Sequence, residues 1–383
     1  MDYGIESVKL HRKNKGKLEV NSKLKITNKE DLSLAYSPGV AQPCLEIEKN
    51  PQEWYELTSA SSTVAVITDG TAVLGLGDIG PKAALPVMEG KSALFKEFAG
   101  VNAFPIAINT KNVEEFINIV KNIAPSFGGI NLEDISAPRC FEIEKRLKKE
   151  LDIPVFHDDQ HGTAIVVLAG VINGLKLINK KKEELSVVIN GAGAAGIAIA
   201  KLLNDFGIKD IVLCDSKGII SKNRTDINEA KIKTLEYTNL KNIEGNLFDA
   251  LKNSDIFVGV SKGNLLKEEH IQSMNKDSMI FAMANPVPEI MPDIAKKAGA
   301  RIIATGRSDF PNQLNNVLVF PGIFKGAMKM RTQITKEMKI AAAQALAELV
   351  ENPTEDKIIP SPFDKGVSEA VSNAIEKLVL NKN

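Results

Sequence analysis

Four carboxylates stand in two adjacent pairs, Glu133-Asp134 and Asp158-Asp159. Each pair follows a short apolar run, 130–132 or 153–156, and a charged amphipathic stretch at 141–151 separates the runs. A strand–helix–strand unit of this kind makes the strands parallel and brings both C-terminal ends to one sheet edge. Three or four carboxylates then converge, and they repel one another unless a cation or an arginine sits among them. An all-oxygen set suits Mg²⁺ or Mn²⁺ better than zinc. The competing reading is a set of solvated loop carboxylates.

A second chemistry is written at 191–196, GAGAAG, which follows the apolar run 187–189 and opens an amphipathic stretch at 194–206. In a strand–turn–helix context Gly191 makes the turn and Gly193 admits a pyrophosphate. Gly196 lets helix pack on strand, and the amides of Ala194 and Ala195 open the helix toward the anion. Asp215 ends the next strand, at the spacing expected of a ribose acceptor. Its carboxylate favours NAD, yet Ser216 and Lys217 follow and suit the 2′-phosphate of NADP. Both cofactors are therefore expected to serve, with Lys217 acting mainly on NADP. A further G-x-G-x-x-G at 75–80 has no acidic residue after the following strand and reads as a close-approach loop.

Lys91 and Tyr36 are the candidate acid–base pair, although a lone lysine or tyrosine is more often a solvated or packing residue. His157 and His161 are four apart but straddle a strand end and a helix start, so the helical zinc spacing fails; the functional reading is orientation or substrate contact, against the commoner one of a surface or core histidine. Asn285, Asn315 and Asn316 lie at strand edges, where an amide could hold a carboxylate or the nicotinamide ribose, or simply form a turn.

The elements that must position these groups alternate. Strands are expected at 63–68, 103–108, 130–132 and 153–156, and again at 186–189, 211–213, 256–260, 279–282 and 301–304. Helical periodicity fills 82–98, 113–123, 141–151 and 194–206, and the apolar segment 163–178 reads as a buried helix. Long helices are expected at 325–350 and 365–380. Alternation of this kind predicts an α/β protein of two domains. Residues 1–160 would form an N-terminal α/β substrate and metal domain; residues 161–383 would form a Rossmann-type doubly wound parallel sheet with C-terminal helices.

The chain has 383 residues, ample for two cores, and 44% of them are apolar. Its 48 basic residues balance 48 acidic ones, which removes any electrostatic reason to expect nucleic acid or an anionic membrane as partner. Three scattered cysteines make no disulfide framework, and the first 17 residues are polar, so a cytoplasmic location is expected.

Taken together, nine stretches resemble the malic enzyme family. They are 34–41 (LAYSPGVA), 69–80 (DGTAVLGLGDIG), 88–95 (MEGKSALF), 131–135 (NLEDI), 156–163 (FHDDQHGT), 191–196, 214–218 (CDSKG), 281–289 (FAMANPVPE) and 315–322 (NNVLVFPG). They run in order along nearly the whole chain, whose length is similar to the short prokaryotic form. The resemblance implies Glu133, Asp134 and Asp159 as metal ligands with Asp158 behind them, Lys91 as general base and Tyr36 as general acid. It also implies oxidation and decarboxylation of malate to pyruvate with NAD or NADP and Mg²⁺ or Mn²⁺. A homodimer or larger homo-oligomer is expected. Larger eukaryotic members carry a substrate-gripping arginine at the place of Ala72; Asn285, Asn315 or Asn316 would have to compensate. The rivals are malolactic conversion of malate to lactate, a metal-free amino-acid dehydrogenase, and a nucleotide-sensing binding protein.

Overall fold

The computed structural model describes residues 2–73 and 75–381. Two sheets, one parallel and one parallel but for a single short strand, organise them. The first has four strands, β1 (Thr63–Thr68), β2 (Asn102–Ala107), β3 (Gly129–Leu132) and β4 (Val155–His157), in the order β2-β1-β3-β4. β1 pairs β2 on one side and β3 on the other, so the connections diverge there, and the crevice at such a switch point is where α/β proteins place ligands. The loops leaving β1 and β3 begin with Asp69 and Glu133, and the helix leaving β4 begins with Asp158. All three carboxyl-bearing ends therefore share one edge, as the strand–helix–strand reading requires.

The second sheet comprises β5 (Ser186–Asn190), β6 (Asp210–Asp215), β7 (Gly218–Ile219), β8 (Ile256–Gly259), β9 (Met279–Ala282) and β10 (Ile302–Thr305). Its order is β10-β9-β8-β5-β6-β7, and β7 alone runs antiparallel. This is the doubly wound arrangement, with its switch point between β5 and β8. β7, two residues long, has no periodicity to reveal it in the sequence.

The apolar run at 163–178 belongs to the helix Asp158–Ile178, which starts five residues earlier and carries Asp158 and Asp159 in its first turn. It is long and apolar enough to cross a membrane, yet two-thirds of it is buried within the fold. Asn173 on this helix donates from Nδ2 to the carbonyls of Ala347 and Ile358, 2.9 Å each. The C-terminal helices are thus tied to it. The expected single helix at 325–350 is two, Phe320–Lys329 and Lys336–Glu348. Arg331 adopts a left-handed φ of 48°, and the Thr335 hydroxyl caps the new helix at Met338 N–H; side-chain capping and a left-handed residue interrupt what apolar periodicity alone would continue.

An aromatic cluster locks the C-terminal helices onto the first sheet. Phe95, on the helix Pro81–Ala99, lies 4.7 Å from Phe320 and 5.4 Å from Phe324, and Phe156 of β4 lies 5.9 Å from Phe324. All four rings are buried. The helix carrying Lys91 is held in place by this packing. The segment before β1 contains the helices Tyr3–Asn14, Lys29–Ala35 and Ala41–Lys49, which the sequence pattern did not reveal; none of residues 2–50 is buried.

Candidate active site

Glu133 leaves β3 with its amide still bonded to the Ile67 carbonyl, 2.9 Å, so its carboxylate starts from a rigid strand end. Asp134 turns the chain with a φ of 54°, a left-handed conformation that aspartate tolerates better than most residues. Its amide donates to Asp159 Oδ2 at 2.8 Å, and its carbonyl accepts from Ala72 N–H at 3.0 Å. These two bonds tie the Asp134 turn to the helix that starts at Asp158 and to the loop after β1. One carboxylate oxygen each from Glu133, Asp134 and Asp159 lies within 4.8 Å of the others. That spacing and an all-oxygen donor set fit a hard divalent cation.

Within the chain, the positive charge beside these carboxylates is that of Lys91. Its Nζ lies 2.6 Å from Asp158 Oδ2, 2.9 Å from Glu133 Oε1 and 4.3 Å from the Phe320 ring centroid. Burial opposes its charge, but Asp158 and Glu133 outweigh burial and raise its pKa above the ordinary lysine range. For the carboxylates, burial leads. It raises Glu133 well above its usual range, Lys91 opposes that, and Asp159, Asp158 and Asp134 add repulsion. Burial also raises Asp158 against the pull of Lys91. Asp159 alone among the three goes down: burial is outweighed by His157, whose Nε2 lies 3.3 Å from its Oδ2.

The two histidines orient the site from behind. His157, fully buried, faces Asp159. His161 turns away from the cleft, its Nε2 2.8 Å from Glu144 Oε1 and its Nδ1 3.0 Å from Lys339 Nζ. Burial lowers the His161 pKa to about 3, so the ring is neutral and Nε2–H donates to Glu144. Glu144 also accepts from Gln160 at 3.2 Å and from the His157 amide at 3.3 Å. These contacts brace the turn that presents Asp158 and Asp159. Glu144 and Gln160 escaped the sequence reading because each looks like an ordinary polar helix residue.

The Gly191 loop closes the other wall. Gly191 has a φ of 122°, and a Cβ there would lie 2.7 Å from the Val260 carbonyl across the switch point. A Cβ on Gly196 would lie 1.8 Å from the Gly191 carbonyl, whereas one on Gly193 would meet nothing within 4 Å. The helix Ala194–Phe206 starts here with no side-chain cap. Tight turn, close packing and an open, uncapped helix start fit a dinucleotide pyrophosphate.

A cleft of about 740 Å³ joins the two walls; its lining includes Lys91, Glu133, Asp134, Asp159, Gly193, Ala194, Ala195, Asn316 and Ala72. Lys17 also reaches it, its Nζ donating to the Pro86 carbonyl at 2.7 Å. Asp158 lies beneath, fully buried. Other expected residues do not line the cleft. Tyr36 is 69% exposed. Asn285 is exposed, and Asn315 Oδ1 is engaged in capping Val317 N–H at 3.0 Å, the turn-forming role. Asp215 and Lys217 stand at the C-terminal end of β6, next to the Gly191 turn, whose amide donates to the Cys214 carbonyl at 2.9 Å. There Asp215 is bound by Arg224 and Lys231, and Lys217 pairs with Asp226.

Fold and cleft define a two-sheet α/β protein with a dinucleotide crevice opening onto an acidic cation site. Comparison with known proteins gives it a family. The malic enzyme N-terminal domain matches residues 15–148, and the malic enzyme NAD binding domain matches residues 160–380. The chain is 57% identical to the bifunctional malic/malolactic enzyme of Bacillus subtilis (strain 168), over 98% of this chain and 92% of that one. It is 56% identical to an NAD-dependent malic enzyme of Geobacillus stearothermophilus, over 94% of this chain and 76% of that one. The crystal structure of an NAD-dependent malic enzyme from Thermotoga maritima superposes with a TM-score of 0.94 at 51% identity, covering 96% of this chain and 98% of that one. Other relatives are named for NADP. The chain belongs to the malic enzyme family.

Proposed function

We propose that this protein catalyses the oxidative decarboxylation of malate to pyruvate and CO₂ with reduction of NAD⁺ or NADP⁺, dependent on Mg²⁺ or Mn²⁺. The observation that carries this reading is the convergence of Glu133, Asp134, Asp159 and Lys91 on one cleft with the Gly193–Ala195 turn. When bound, the divalent cation would polarise the substrate C2 oxygen and the dinucleotide would accept hydride from C2. Glu133, Asp134 and Asp159 would hold that cation, with Asp158 fixing Lys91. With a cation's charge on Glu133 weakening its ion pairing, Lys91 would release its own proton to solvent and, as the neutral amine, would accept the C2 hydroxyl proton. Lys17 and Asn316, on the cleft wall, face the substrate carboxylates where Ala72 offers no charge. Residues 1–160 serve as the catalytic unit and 161–383 as the dinucleotide-binding unit, and the chain works in the cytoplasm.

Tyr36 fits the role of proton donor to C3 in a homo-oligomer. Within one chain it lies outside the cleft, on a segment that exposes Tyr3, Ile5, Val8, Leu10, Val20, Leu24, Leu32 and Leu34. So much uncovered apolar surface marks an interaction face, and a second copy covering it brings Tyr36 to Lys91. Mixing inactive Tyr36→Phe and Lys91→Gln chains then restores about a quarter of wild-type activity under random pairing in a two-fold dimer. No recovery from subunits shown to exchange would assign the proton donor elsewhere.

The deciding assay is malate with Mn²⁺ and, separately, NAD⁺ or NADP⁺, following reduced cofactor and pyruvate. The malolactic alternative, which the Bacillus subtilis relative is named for beside malic activity, gives lactate with no net reduced cofactor. Full activity in excess chelator would point to a metal-free dehydrogenase, and no turnover at all to a binding protein.

A further inference from the structure

In a dinucleotide fold the acidic residue ending the second strand ordinarily accepts hydrogen bonds from the adenosine ribose hydroxyls. Asp215 holds that position but its carboxylate is already engaged. Oδ1 accepts from the Lys217 backbone N–H at 3.0 Å and from Arg224 Nη1 at 2.7 Å. Oδ2 accepts from Arg224 Nη2 at 3.2 Å and from Lys231 Nζ at 2.6 Å. A carboxylate offers about four lone-pair directions, and here four donors use them. Arg224 is itself pinned, donating from Nε and Nη2 to the two oxygens of Asp226, 2.8 Å each, and from Nη1 to the Gly218 carbonyl at 3.4 Å. Lys217 Nζ lies 2.8 Å from Asp226 and is 67% exposed. Among the described residues, Lys217, Arg224 and Lys231 pair with two carboxylates, Asp215 and Asp226, which leaves positive charge in excess.

We propose that Asp215 is a buttress for Arg224 and Lys231 rather than the ribose acceptor, and that this corner of the crevice is built for the 2′-phosphate of NADP. The inference rests on the dinucleotide-binding reading above. A ribose hydroxyl gains nothing from an acceptor whose lone pairs are taken. A phosphate monoester gains the uncommitted protons of Lys231 and Lys217, and the exposed Ser216 hydroxyl beside them. Arg224 sets the preference: it neutralises Asp215, which would otherwise repel the phosphate, and it occupies the oxygens that would otherwise hold NAD. Its removal therefore acts in opposite senses on the two cofactors, which loss of a merely structural residue would not do.

Binding to the full chain is measured calorimetrically without malate, using adenosine 2′,5′-bisphosphate and ADP as probes. The bisphosphate is expected to bind at least about tenfold more tightly than ADP, the scale of one charge-assisted contact. Arg224→Ala is expected to remove that preference by weakening the bisphosphate while leaving ADP as tight or tighter. Lys231→Met, which leaves Arg224 on Asp215, is expected to weaken the bisphosphate alone. ADP binding as tightly as the bisphosphate to the wild type would overturn the proposal while sparing the dinucleotide reading. So would equal losses of both probes in Arg224→Ala and Lys231→Met. Binding of neither probe to the wild type would overturn both readings.

Discussion

Lys91→Ala tests the arrangement of charge in the cleft most directly. The ammonium lies 2.6 Å from Asp158 and 2.9 Å from Glu133, and neither carboxylate side chain is more than 5% exposed. Removing one partner of a buried ion pair typically destabilises by about 3–5 kcal/mol, because the remaining charge is left in a poorly solvating interior. At about 2 °C per kcal/mol for a chain of this size, the midpoint of thermal unfolding in EDTA falls by about 6–10 °C. The pH dependence has a definite sign. Glu133 already titrates above its usual range, and without Lys91 it and Asp158 rise further. A raised folded pKa means the fold binds the proton more tightly than the unfolded chain, so stability is fully present below the ordinary carboxylate range near 4 and is lost as pH rises through the folded values. The gap between variant and wild type is therefore narrow near pH 5 and wide at pH 8. Mn²⁺ stabilises either chain by about 2.7 kcal/mol at a hundredfold excess over its Kd, so it narrows the gap at pH 8 only as far as it binds the variant more tightly. Malate oxidation at saturating Mn²⁺ falls by at least about 100-fold, the low end for lost acid–base help. Scanning calorimetry at both pH values, with EDTA or Mn²⁺, reads the stabilities, and the malate assay reads the turnover. A variant as stable as wild type at pH 8 in EDTA would refute the charge argument.

Three further perturbations follow from the same contacts. Asp159→Asn removes one of three cation-facing carboxylates and weakens Mn²⁺ binding, titrated by electron paramagnetic resonance, by about tenfold or more; unchanged affinity would remove Asp159 from the ligand set. Asn173→Ala strands the buried carbonyls of Ala347 and Ile358, so the urea midpoint drops by the equivalent of about 1–3 kcal/mol, and a wild-type midpoint would show that the amide contributes nothing. Burial pushes the Cys214 thiol up to about 12, leaving about one thiolate in ten thousand at pH 8. Mass mapping after alkylation of the folded protein should find Cys214 unmodified until denaturant is added, and rapid labelling would contradict the burial.

Local pattern was enough for much of this protein. The runs at 63–68, 113–123, 194–206 and 279–282 carry their periodicity within a single element, and the structure has Thr63–Thr68, Val113–Ile123, Ala194–Phe206 and Met279–Ala282 in those places. Glu133, Asp134, Asp158 and Asp159 were legible as a cluster because parallel pairing alone carries strand ends to one edge. The Gly191 turn was legible because its glycines answer to backbone geometry within six residues. What tertiary structure decided were partnerships between distant polar side chains. Lys91 meets Asp158 across 67 residues, brought there by the packing of Phe95 against Phe320 and Phe324, and nothing in its neighbours Gly90 and Ser92 announces it. Asp215 has the position of a ribose acceptor, but whether its oxygens are available depends on Arg224 and Lys231 folding back over it. Tyr36 sits in a recognisable motif, yet its segment buries nothing within the chain. The break at Arg331 divides an apolar repeat that continues on both sides. Hydrophobic periodicity is a property of one element and is repeated along the chain. The energy of a buried charge or a spent lone pair depends on ångström distances between elements, and those exist only once the elements have packed.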